Sequence, residues 1–183
     1  MTRVRRALSS LAVLAGLGAL LAGCGGGGGD STSSAADWAS GYCGAATSWV
    51  TTLDEARASV KTGTTPEEAA QQVTDETNTF TQAIGGFGAP DTPDGSTSAA
   101  TAKSLSQLLS GRVARISAAI DTNNPDVTVA ARTKIVQDQV AASLTDVTDT
   151  TAKLAADDAE LGTAMGAATE CADLKTALEK SAA

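Results

Sequence analysis

From Trp38 onward, apolar residues recur at steps of three and four, and no segment alternates apolar and polar with a period of two. That spacing puts one stripe of side chains on one face of a helix, so it predicts an all-α fold without strands. The first stripe comprises Trp38, Tyr42, Ala45, Trp49, Leu53, Ala56 and Val60. Lys61-Thr62-Gly63 is expected to stop that helix. Thr65-Pro66-Glu67-Glu68 is expected to start the next, with a capping hydroxyl, a proline at the first helical position and acids at the positive helix end. The second helix carries Ala69, Val73, Thr77, Phe80, Ile84 and Phe87 on one face. The glycine- and proline-rich run from Gly85 to Gly95 reads as a loop.

A third helix is expected from about Ser96 to Thr122, with Ala102, Leu105, Leu109, Val113, Ile116 and Ile120 inward. Asn123-Asn124-Pro125 turns the chain. A long fourth stripe runs from Val136 through Val140, Leu144, Val147, Thr151, Leu154 and Leu161 to Met165. Asp157-Asp158 interrupts it, and Gly162 and Gly166 weaken it, so a break is expected there. A short terminal helix from about Thr169 to Lys180 completes the chain. Short connections between helices of this length predict an up-and-down antiparallel bundle of about four helices plus the short C-terminal one.

The segment before Trp38 has a different character. Arg3, Arg5 and Arg6 precede an apolar run from Ala7 to Ala22, the layout of a secretory signal peptide. About 16 residues is short for a membrane span, which needs roughly 20. The run ends Leu21-Ala22-Gly23-Cys24, which resembles the lipobox of bacterial lipoproteins. There the thiol accepts a diacylglyceryl group and small residues before the cysteine fit the protease. An ordinary signal peptide with an incidental cysteine is the alternative, but Leu20 and Leu21 spoil the small-residue pattern ordinary cleavage requires. The expected divisions are therefore a signal peptide over 1–23, a lipidated Cys24 with a flexible tether over 24–34, and a helical domain over 35–183. Five consecutive glycines, Gly25 to Gly29, are too costly in backbone entropy to order. They are not a phosphate loop, because no strand precedes them and no Gly-Lys-Ser/Thr follows.

Cys43 and Cys171 remain. In an oxidising compartment an even pair reads as a disulfide. Free thiols or a redox pair are the alternatives; the missing C-x-x-C motif and the absence of basic flanks on Cys43 count against them.

Charge and chemistry restrict function further. Without Arg3, Arg5 and Arg6 the chain keeps 10 basic residues against 21 acidic ones, a net charge near −11. Such a surface disfavours nucleic acid and anionic lipid as partners. There is no histidine, hence no Ser-His-Asp triad, no Cys-His nucleophile and no histidine metal site. The acidic pairs Glu67-Glu68, Asp75-Glu76 and Asp157-Asp158 point about 100° apart on a helix and read as caps and solvated faces. Asp91 and Asp94 lack the alternating ligands and closing carboxylate of a calcium loop. No metal, cofactor or catalytic residue is expected. Trp38, Tyr42 and Trp49 either fill a core otherwise dominated by alanine or line a pocket for an apolar ligand; the shortage of other large side chains favours the core.

Trp38 to Cys43, Trp49 and Leu53, then Gly88-Ala89-Pro90-Asp91 and the late Cys171-Ala172-Asp173-Leu174 together resemble small Ala/Thr-rich secreted lipoproteins of high-GC Gram-positive bacteria. The resemblance covers most of the chain after Cys24. It implies a helical fold, a Cys43–Cys171 disulfide and anchoring at the cell surface, and it carries no activity. The expectation is a non-enzymatic, lipid-anchored domain on the outer face of the cell membrane, with an interaction or structural role among envelope proteins. The alternative is a lipoprotein that binds a small apolar ligand beside Trp38, Tyr42 and Trp49.

Overall fold

The computed structural model describes residues 32–61, 64–120 and 127–182. The expected signal segment, Cys24, the glycine run, the Thr62-Gly63 stop and the Asn123-Asn124-Pro125 turn lie outside these residues. Within them the fold is all-α, with six helices: α1 Ala35–Lys61, α2 Pro66–Gly86, α3 Gly95–Ala119, α4 Val129–Asp157, α5 Ala159–Ala167 and α6 Thr169–Ser181.

Local chemistry sets the boundaries. The Ser34 hydroxyl accepts from the Asp37 N–H at 3.1 Å and caps α1. Thr65 and Glu68 cap α2 reciprocally, the backbone N–H of each donating to the side chain of the other, and Pro66 occupies the first turn. Gly95 opens α3 where any Cβ would lie 1.9 Å from the Pro90 carbonyl oxygen, so only glycine fits this turn. Thr128 caps α4. Asp158 ends α4 and caps α5, its carboxylate accepting from the Leu161 N–H at 3.0 Å. The expected break is therefore a cap in its own right, and it yields one helix more than the sequence suggested.

Successive helices α1 to α4 pack on one another in chain order, and α6 returns to α1. The predicted stripes form one core. Leu53, Phe80, Leu105, Leu109, Ile116, Val140, Leu154 and Leu161 are all buried. Trp38 stacks on Tyr42 with ring centroids 5.3 Å apart, and Trp49 on Phe80 at 5.4 Å. The Trp49 indole N–H donates to the buried Thr77 hydroxyl at 3.1 Å, which explains a threonine on an otherwise apolar stripe.

Cys43 and Cys171 are bonded. The Arg57 guanidinium donates to the Ser181 carbonyl oxygen at 2.8 Å. Together these two contacts show α6 lying along α1 in the same chain direction. Of Ser33 and Ser34, expected to be the last residues of the tether, Ser34 caps α1 and Ser33 is held against the α2–α3 loop. The Asp91 N–H donates to the Ser33 carbonyl at 2.8 Å, and the Ser33 N–H donates to the Ala89 carbonyl at 3.3 Å. No helix among the described residues is long and apolar enough to cross a membrane.

Candidate functional site

Helix α6 has one firm seat, on α1. It meets α5 only around their shared turn and scarcely touches α4. The consequence is a groove of about 600 Å³ between α4 and α6, closed at one end by α5. A second groove of about 330 Å³ shares Thr148, Leu178 and Ala182 with it and continues to Arg57 and Ser181.

The α4 wall consists of Thr148, Thr151, Ala152 and Ala155, residues that share one helix face. The α6 wall presents Cys171, Leu174 and Leu178, again at helical spacing, and α5 adds Met165. The two threonines spend their hydroxyls on their own helix: Thr148 donates to the Leu144 carbonyl at 2.9 Å and Thr151 to the Val147 carbonyl at 2.7 Å. Their methyl groups are what remains for a ligand. Lys175 and Glu179 are the only ionisable residues lining the larger groove; both are exposed, and they approach each other at 3.9 Å.

Gly162 sets the closed end. A Cβ there would stand 2.3 Å from the Ala155 carbonyl oxygen, so α5 approaches α4 as closely as its backbone allows. The sequence marked this glycine as a weak point in a helix. Here it permits a close approach instead.

Trp38, Tyr42 and Trp49 are at most 1% exposed and pack in the core, away from both grooves. Tyr42 touches the site only from behind, its hydroxyl 3.1 Å from that of Thr151. Burial pushes its pKa up to about 12, against the smaller downward pull of the Thr151 hydrogen bond.

The acidic pairs are held in structural contacts. Glu67 pairs with Arg132 at 2.9 Å, Gln71 donates to Asp75 at 2.8 Å, and Lys153 pairs with Asp157. Asp158 is buried, and burial alone would raise its pKa. The hydrogen bonds from the Leu161 N–H, the Thr92 and Ser98 hydroxyls and the Glu160 N–H outweigh that and hold it below the usual aspartate value. Among the described residues no three cysteine or carboxylate side chains converge to hold a metal ion.

Sequence reasoning missed the groove. Its one signal was that the segment after Gly166 offers only Leu174 and Leu178 as sizeable anchors, too few to cover two neighbouring helices. Compared with family models, with curated proteins and with solved structures, the chain matches none.

Proposed function

We propose that this chain is a non-catalytic, lipid-anchored interaction module on the outer face of the cell membrane, and that the α4–α6 groove is its interaction surface. In this reading α1 to α4 form an up-and-down antiparallel bundle, residues 1–23 are a cleaved signal peptide, and Cys24 carries the lipid. The observation that carries the binding role is the groove itself: a sizeable concavity with apolar walls, its hydroxyls already satisfied and its charges confined to the rim. Such a surface recognises hydrocarbon, and the only ionisable side chains lining it, Lys175 and Glu179, are exposed and approach each other. The anchoring part is supported by the basic, apolar and cysteine-terminated order of the first 24 residues.

The groove also favours an apolar ligand over a purely structural role. In this reading the ligand sits between α4 and α6 rather than beside the aromatic stripe. The test has two arms. Mass analysis of the N-terminal peptide from membrane-purified protein should show a diacylglyceryl cysteine at position 24, absent in Cys24→Ser; an unmodified cysteine would end the anchoring part. A fluorescent fatty-acid analogue should bind the wild type and not Ala152→Trp; equal binding to both would end the groove assignment.

A further inference from the structure

The position of the groove relative to the N-terminus narrows the choice of occupant. The Cys171 sulfur, at the α5 end of the groove, lies 3.6 Å from the Ala39 carbonyl oxygen. Ala39 is only six residues beyond Ser33, where the chain is pinned to the α2–α3 loop. Four residues of helix at 1.5 Å of rise and two extended residues before α1 put Ser33 within roughly 13 Å of the α5 end of the groove along the α1 axis. Cys24 is nine residues before Ser33, and nine residues span at most about 30 Å. Whatever is attached to Cys24 is therefore within reach of the groove.

The walls have the chemistry of a hydrocarbon site. Leu174, Leu178 and Met165 face Ala152 and Ala155, and both threonine hydroxyls are bonded back to their own helix. An occupant needs no polar group to satisfy them. The shape is also elongated, since the α6 wall runs from Cys171 to Ala182, about 16 Å along the helix. A single extended chain fits that outline better than a compact ring system does. Tethering adds selectivity, because a short linker presents its own chain at an effective concentration in the millimolar range.

We infer that the α4–α6 groove houses one acyl chain of the protein's own N-terminal lipid, carried on Cys24. The inference rests on the anchoring proposed above. Its consequence concerns the strength of attachment. Two acyl chains hold a protein on a bilayer stably and one holds it weakly. A diacylglyceryl cysteine that shelters one chain in the groove leaves one in the membrane, and the attachment becomes reversible.

The experiment uses full-length protein processed in its membrane, with the N-terminal mass determined first. The protein is placed in phosphatidylglycerol vesicles, and its spontaneous transfer to acceptor vesicles is timed. Ala152→Trp and Thr148→Leu each fill the groove from an exposed position on α4, so folding tolerates them. Either should slow transfer roughly tenfold or more, a ratio that shelter of two methylenes already exceeds. Circular dichroism checks the fold of each variant, and the second variant serves if the first misfolds. A Cys24 without lipid overturns the anchoring and the inference together. A lipidated protein whose wild type and folded variants transfer at one rate overturns the groove assignment alone.

Discussion

The hydroxyl of Tyr42 on α1 lies 3.1 Å from that of Thr151 on α4, directly behind the wall of the groove. Tyr42 is the only tyrosine, so tyrosinate absorbance reports this contact without interference. The native pKa, near 12, lies above the ordinary value of about 10. A raised native value means stability is complete below pH ~10 and is lost as pH rises from there through the native pKa. Tyrosinate should therefore stay absent from the folded protein at pH 10 and appear near 12 or with unfolding. Tyr42→Phe should retain more stability between those values. Tyrosinate forming near pH 10 in a chain that is still fully helical would show that the hydroxyl is not sealed.

The acid limb belongs to Asp158. Its carboxylate accepts from the Thr92 hydroxyl at 2.5 Å and the Ser98 hydroxyl at 3.1 Å while capping α5. Because the native pKa is depressed, this contribution is complete above the ordinary aspartate value of about 3.9 and is lost as pH falls through the native one. Asp158→Asn should cost about 1–3 kcal/mol at pH 7 and flatten the fall in stability below pH ~4. Thermal melts across that range decide it; an Asn variant with an unchanged acid limb would remove Asp158 from the account.

Thr77→Val leaves the buried Trp49 N–H without its partner. The expected cost is about 1–3 kcal/mol. Thr79→Val is the matched control, since the Thr79 hydroxyl bonds only the Asp75 carbonyl of its own helix and faces solvent. Its effect should stay within about 0.5 kcal/mol. Denaturant titrations followed by tryptophan fluorescence compare the two, and equal losses would mean the indole bond contributes nothing of its own.

Cys171→Ser tests what holds α6. That helix has 13 residues, no side-chain N-cap, and only Leu174 fully buried among its large apolar side chains. Helices of this length are marginal alone. The substitution should lower stability by about 2–4 kcal/mol while leaving most helicity, because the stripes from Trp38 to Met165 pack without α6. Thiol counting on the protein purified without reductant should find no free pair. Two free thiols, or a variant that melts like the wild type, would contradict this view of the C-terminus.

Much of this fold was legible because a helical stripe carries its own burial pattern. On α2 the residues Ala69, Val73, Thr77, Phe80 and Ile84 are all buried as spaced, and Phe87, just past the helix, is half-buried. The break at Asp158 was visible as a polar interruption, but its role as a buried cap was not, because Thr92 and Ser98 come from 66 and 60 residues away. The aromatic stripe left core and pocket open, and only packing against Phe80 and Phe87 places the rings. The groove was illegible for a similar reason. It depends on the distance between α4 and α6, which follows from how α6 leans on α1 rather than from either sequence. The docking of Ser33 likewise depends on a loop more than 50 residues away.

The bond between Cys43 and Cys171 joins positions 128 residues apart, and so ties most of the chain into a closed circuit. A folded chain that meets a protease is cut first in its turns. In an open chain, one such cut between helices leaves two pieces free to drift apart. Here a single cut anywhere between those cysteines opens the circuit but releases nothing, because both pieces remain joined through sulfur as well as through their packed faces. Loss of a fragment then requires a second cut or a reductant.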